Sequence, residues 1–187
     1  MKITRAQVFR LVLGLAILLS CIGCDQVAKK MARQSLRHAP VQSYFADTIR
    51  LQYVVNPGAF LGLGSDLPRD IRPLVLIGFN ACLILGVAVF IFSRHDMPWA
   101  LFVAVACILA GGIGNLIDRV SNHGLVTDFI NVGIGPLRTG IFNIADIAVM
   151  FGSLAVVFLL ASPKITEQAT APELPTDSNG SSQPPAQ

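Results

Sequence analysis

Two aspartates in the last third of the chain are placed for proton chemistry: Asp128 in VTDFI and Asp146 in FNIAD. Two carboxyl groups that share a site cannot both ionise easily, so one keeps a proton while the other stays charged. Such a pair can hold a water, take its proton as base and protonate a leaving amine as acid. Asn143 is a natural N-cap and sets Asp146 at the third helical position, where backbone donors and the helix dipole favour negative charge. Completion of that cap is a plainer account of Asp146. Asp128, a second carboxylate only a short loop away, weighs against it, and shared protons would belong to the pair.

Further polar groups cluster at the ends of apolar runs: Asp25 and Lys29 in DQVAK, and Asn115, Asp118 and Arg119 in GGIGNLIDR. Such residues near membrane depth are costly and mark functional sites by default. Asn115 and Arg119, four apart, share a helix face and can offer an amide and a guanidinium to one ligand. Asp118 can pair with Arg119 or another cation. Gly111, Gly112 and Gly114 permit close helix approach. Taken alone, this segment is explained equally well by a polar helix end that merely meets lipid headgroups. Other hydrolytic chemistries lack their parts, because the chain contains no HExxH, no GxSxG and no GxxxxGK[ST]. His38, His95 and His123 are isolated, and nothing in the spacing singles out a pairing of Ser35 with Lys29 or Lys30. Cys21, Cys24, Cys82 and Cys107 fall inside apolar runs without a zinc spacing and read as small hydrophobes.

The elements that must carry these groups are membrane helices. The 187 residues are 53% hydrophobic and 13% charged, with a mean hydropathy of +0.63, against roughly 25% charged residues in soluble domains. Apolar runs predict four transmembrane helices at approximately 8–28, 73–92, 98–117 and 141–161. An even number of spans puts both termini on one side, and the polar helix ends then all lie on the other. From Asp25 to Ala39, Val27, Met31 and Leu36 recur at helical spacing among basic residues, which suits an interfacial extension of the first helix. Ile49, Leu51, Tyr53 and Val55 alternate as in a strand that ends at Asn56-Pro57-Gly58, and 126–132 offers another strand. The expected fold is thus an α-helical polytopic membrane protein with a small β-sheet and an interfacial helix on one surface. Residues 1–162 form the membrane-embedded domain, and 163–187, rich in Pro, Ser, Thr and Gln, should be disordered. The net charge of +3 comes without a basic stripe among exposed aromatics, so no nucleic-acid partner is expected. Counting Lys and Arg on the two sides leaves the orientation open: more of them lie in the loops opposite the termini, whereas the N-terminal end of the first helix carries Lys2, Arg5 and Arg10.

In combination, DQVAK, NPGAF, GGIGNLIDR, VTDFI and FNIAD resemble lipoprotein signal peptidase, the type II signal peptidase family of bacteria, in the family's order and across the four spans. The resemblance implies an aspartic endopeptidase that cuts prolipoproteins before a diacylglyceryl-modified cysteine, with Asp128 and Asp146 as catalytic acids. It implies that Asn56, Asn115, Arg119 and Asn143 hold the substrate backbone or the dyad and that Asp25, Lys29 and Asp118 support the site. The motif positions Gly58, Ala59, Phe60, Gly111 and Ala145 belong to the same set. It further implies an inner-membrane protein with cytoplasmic termini and an extracytoplasmic site and sheet, no cofactor or metal, membrane lipids and lipidated precursors as partners, and a monomer. Two departures stand out: NPGAF has one alanine where many members have two small residues, and Gly112 replaces the usual alanine. A proton-coupled carrier is the alternative, but it would place acids along helix interiors, where the spans are apolar.

Leu18-Leu19-Ser20-Cys21 also reads as a lipobox, as though the first run were a leader due for removal. Three later spans and the use of Asp25 and Lys29 in the first motif favour a permanent helix. Mass spectrometry of the purified protein should therefore find the N-terminus at Met1 or Lys2; an acylated Cys21 at the N-terminus would refute this.

Overall fold

The computed structural model describes residues 4–58, 64, 66–94 and 96–162. The expectations for Ala59, Phe60 and 163–187 lie outside the described residues. Among the described residues four helices are long and apolar enough to cross a bilayer: α1 (Arg5–Ser35), α2 (Arg72–Ser93), α3 (Trp99–Ser121) and α4 (Ile144–Ala161). Thr4 and Gln7 form a capping box that starts α1, satisfying backbone donors that the first turn leaves unpaired. At 31 residues α1 is about 46 Å long, well beyond a hydrocarbon core of ~30 Å, and it continues unbroken to Ser35 through most of the stretch expected as an interfacial extension. The helix α3 runs one turn past the expected span and so carries Asp118 and Arg119. The run that begins at Ile141 becomes helical only at Ile144. Phe142 is still extended and bridges Ile130, and Asn143 caps the helix behind it.

The strands β1 (Gln42–Tyr44), β2 (Ile49–Asn56), β3 (Val126–Ile134) and β4 (Leu137–Arg138) form one antiparallel sheet in the order β1-β2-β3-β4. β2 carries the alternating pattern read at 49–55 and β3 covers the second expected strand at 126–132, although a register shift between Leu51 and Val54 interrupts their pairing. The sheet meets the end of α1 where Ala32, Leu36 and Phe129 are buried, with Leu51, Tyr53 and Ile130 packed against them.

The helix α3 is the centre of the bundle and buries more of its residues than α1, α2 or α4. At the end opposite the sheet, Met97, Leu101, Phe102 and Val105 pack with Leu13, Val87 and Val156. There the Arg10 guanidinium donates to the Met97 carbonyl and lies 4.7 Å from the Trp99 ring centroid, which keeps its charge partnered within an apolar helix. α4 reaches α3 across glycines. A Cβ on Gly111 would lie 2.4 Å from the Ala145 carbonyl oxygen, and one on Gly152 would lie 2.7 Å from that of Ala104. Backbone atoms cannot yield as a flexible side chain can, so larger residues must push the helices apart. Gly152→Leu should therefore lower stability by about 1–3 kcal/mol, seen as a reduced thermal midpoint in detergent. Gly78→Ala, at a position where a Cβ meets nothing within 4 Å, should leave the midpoint unchanged or raised.

Candidate active site

The site is assembled from one end of α1, the end of α3, the start of α4 and the adjoining ends of β2 and β3. Its base is an ion cluster buried between helices. The Lys29 ammonium has no solvent exposure and lies 2.8 Å from Asp25 Oδ2, 3.6 Å from Asp118 Oδ2 and 2.9 Å from Asn115 Oδ1. A buried charge is tolerated only when paired and hydrogen-bonded, and here each carboxylate has further donors. Asp25 Oδ1 accepts from the Ala145 backbone N–H at 2.9 Å, and Asp118 Oδ2 from that of Thr127 at 2.9 Å. The Gln26 amide donates to Asp25, to the Gly114 carbonyl and to Asp118. A Cβ on Gly114 would sit 2.9 Å from Asp25 Oδ2, so this approach of α1 to α3 needs the glycine.

Asp128 and Asp146 stand above that base, joined by Asn143. The Asn143 amide donates to Asp128 Oδ1 at 2.6 Å, while its Oδ1 accepts from the Asp146 N–H at 3.0 Å and its own backbone N–H donates to Asp146 Oδ2 at 3.0 Å. The same amide also lies 3.2 Å from Asn115 Oδ1. The Asn115 amide completes the arrangement by donating to Asp146 Oδ1 at 2.8 Å. The opposite oxygen of Asp128 accepts from the Asn56 amide at 2.9 Å, and Asn56 Oδ1 in turn accepts from Gly58 N–H at 2.9 Å. The cap of α4 is thus present as the sequence predicts, and it also reaches the second acid.

Asp128 is almost wholly buried. Burial pushes its carboxyl up to about 6; the charge of Asp146 adds to the rise, while hydrogen bonds from Asn56 and Asn143 and the charge of Lys29 oppose it. Arg119 is also buried. It donates to the Gly58 carbonyl at 3.1 Å and to the Asn115 carbonyl at 3.4 Å, and it interacts electrostatically with Asp146 and Asp128. Its Nε is the only buried side-chain N or O among the described residues without a hydrogen-bond partner. The arrangement therefore offers a carboxyl group able to hold a proton near neutrality, a second carboxylate beside it, and a spare cationic donor.

The sequence places these residues together, with changes in pairing. Asp118 forms its ion pairs with Lys29 and Arg33, the latter at 3.8 Å, rather than with its neighbour Arg119. Gly111 and Ala145 serve the α3–α4 contact that seats Asp146. Sequence reasoning did not single out Gln26 or Arg33. Arg33 donates to Thr127 Oγ1 at 2.9 Å; its spacing of four from Lys29 on one helix face was the available signal. Among the described residues no group of three or more His, Cys, Asp and Glu gathers as a metal-ligand set.

Known proteins share this architecture. Two solved structures described as bacterial membrane enzymes superpose with a TM-score of 0.69 each. At 22% and 24% identity they cover 87% and 81% of this chain and 93% and 94% of their own, and at that distance they support the fold alone. Lipoprotein signal peptidase of Moorella thermoacetica is 31% identical over 150 residues, 80% of this chain and 93% of its own length. That of Treponema pallidum is 33% identical over 192 residues, 92% and 96% respectively. Residues 17–162 match the family model of signal peptidase II. Since that match runs from within α1 to just past the end of α4 and takes in both carboxylates with every helix that holds them, the chain belongs to the signal peptidase II family.

Proposed function

We propose that this protein is an intramembrane aspartic endopeptidase that removes signal peptides from diacylglyceryl-modified prolipoproteins, cutting before the lipidated cysteine with Asp128 and Asp146 as its dyad. Family membership and four membrane helices make it a multi-pass bacterial membrane protein and a protease of lipoprotein signal-peptide processing. The dyad assignment rests on one observation above others: Asn143 hydrogen-bonds both acids at once. The proposed orientation has cytoplasmic termini and the site at the outer face of the inner membrane, with 1–162 as the peptidase domain acting as a monomer among its lipids.

In the active form the two acids share one proton. The ionised member takes a proton from a water held between them, and the hydroxide attacks the carbonyl carbon of the scissile amide. The protonated member stabilises the developing oxyanion, and the proton taken from water then passes to the leaving amine as the C–N bond breaks. Arg119, with its spare Nε, is suited to a substrate carbonyl. A substrate anchored by its acyl chains arrives by lateral diffusion, so the pocket needs polar specificity only around the amide. Nothing in the geometry favours the carrier alternative, because Asp25 and Asp118, the acids within α1 and α3, are neutralised in a closed ion cluster.

Two outcomes test this. Asp128→Asn and Asp146→Asn should each reduce cleavage of a lipidated precursor by roughly 10²–10⁴-fold or more, with thermal midpoints showing that the variants are folded; undiminished turnover by either removes the mechanism. The second concerns pH. Because the Asp128 carboxyl lies above its ordinary value, the folded protein holds a proton between about pH 4 and about pH 6 that the unfolded chain has released. Stability attributable to Asp128 is therefore greatest below that window and falls as pH rises through it. Subtracting the Asp128→Asn profile from that of the unsubstituted protein should reveal a downward slope confined to that range, and a flat or rising difference would show that Asp128 is not held protonated.

A further inference from the structure

Between Pro73 and Phe92, α2 carries one amide and no charged side chain. That residue, Asn80, has no part in the hydrogen-bond network of the two acids. It stands about 12 Å along the helix from Arg72, and a polar group at such a depth in a membrane span marks a functional position by default. Its hydrogen bonding is incomplete. The Asn80 amide donates to the Gly112 carbonyl at 3.5 Å, the long limit of such a bond, and within a helix that carbonyl has its ordinary donor in the N–H four residues on. Among the described residues nothing donates to Asn80 Oδ1.

The contact with Gly112 fixes where Asn80 stands relative to the dyad. Gly112, Asn115 and Arg119, at i, i+3 and i+7, form one stripe along α3. Asn115 donates to Asp146 and Arg119 to the Gly58 carbonyl, so the stripe runs inward from the site and reaches Asn80 one turn below Asn115. The glycines of this helix meet different neighbours. A Cβ on Gly111 would touch Ala145 and Val149 of α4, one on Gly114 would touch Asp25 of α1, and one on Gly112 would lie 3.1 Å from Ile84 and 4.0 Å from Asn80 Oδ1 on α2. The stripe therefore lies between α4 and α2. Those two helices each pack on α3 but make no comparable contact with each other. In keeping with this, Gly111 and Gly114 are buried, whereas Gly112, Asn115 and Asn80 are only half-buried. A cleft is left between α2 and α4, with the stripe as its floor and Asn80 on its α2 wall.

We propose that Asn80 is a further substrate-binding residue, whose amide donates to a main-chain carbonyl in the last turn of the signal segment as that segment descends through the cleft between α2 and α4. The inference rests on the proposed function and extends it. Upstream of the cut amide the precursor is an apolar membrane helix. The last four carbonyls of a helix have no partner within it, and in hydrocarbon no water supplies one. Those carbonyls need a donor about one turn below the dyad. Asn80 stands at that depth with a donor held only by a long bond, and Gly112, having no side chain, leaves room for a peptide backbone beside it.

Cleavage kinetics of a lipidated precursor by the full-length protein in lipid–detergent micelles test this. Asn80→Leu should raise KM roughly two- to tenfold with kcat and thermal midpoint little changed, and Asn80→Gln, which keeps the amide, should recover part of the loss. An unchanged KM overturns the inference, and if the midpoint falls at the same time the amide serves helix packing alone. Precursors in which each of the four main-chain amides upstream of the cut bond is replaced in turn by an ester, a weaker acceptor, provide a second measurement. One ester should raise KM with the unsubstituted protein and lose its effect with Asn80→Leu; equal ester effects in both proteins, or none at any position, overturn the inference. If Asn80→Leu does not fold, Asn80→Ala replaces it in both measurements. An unsubstituted protein that leaves the parent precursor intact removes the proposed function together with this inference, whereas normal cleavage that is indifferent to Asn80 removes this inference alone.

Discussion

An ammonium group sealed inside a membrane protein must find its neutralising partners within the fold, and that requirement organises this molecule. Lys29 is paired with Asp25 one turn earlier on α1 and with Asp118 on α3, and Asn115 accepts its remaining contact. Removing one partner from such a buried set leaves an uncompensated charge, at a cost of about 3–5 kcal/mol. The cluster therefore fixes α1 and α3 to one register. Its outer oxygens extend that order: Asp25 receives the Ala145 N–H in the first turn of α4, and Asp118 receives the Thr127 N–H beside Asp128. Both acids are thus one residue removed from a backbone group tied to the same charge cluster.

That coupling explains how two short-range carboxylates can be kept together without collapsing onto a cation. The positive charges nearest the cluster's carboxylates are occupied, Lys29 by Asp25 and Asp118, and Arg33 by Thr127 and Asp118. Asp128 and Asp146 accept their hydrogen bonds instead from the amides of Asn56, Asn115 and Asn143, which donate without carrying a charge, while Arg119 acts on both through its field. Amide donors moderate the effect of burial on Asp128 but do not cancel it, so its carboxyl stays above the ordinary range.

Much of this was legible in the residues. Apolar length alone announces α2 and most of α1, and Asn143 with Asp146 announces where α4 begins, because a capping box is a local interaction. The alternation of Ile49, Leu51, Tyr53 and Val55 announces β2. What escaped was set by partners distant in sequence. Asp118 has a cation next to it, yet it pairs with Lys29 and Arg33, some 85 to 89 positions away. Phe142 belongs to an apolar run but is drawn into the sheet by Ile130. The short strands β1 and β4 have little pattern of their own and exist because β2 and β3 provide edges. Gln26 was not singled out within DQVAK, because two of its amide's three acceptors, the Gly114 carbonyl and Asp118, come from α3.

Asn143 shows what such economy entails. One side chain both begins a membrane helix and orients a carboxyl group on a neighbouring strand, so its amide hydrogens and its oxygen are committed in different directions. An aspartate there could still start the helix but would bring a third carboxyl group, without the amide donor, against Asp128, and a serine could start it but would be too short to bridge. Helix initiation by itself tolerates several residue types, but the additional bond removes that latitude. Drift at this position is thus restricted to changes that solve two unrelated problems in a single step.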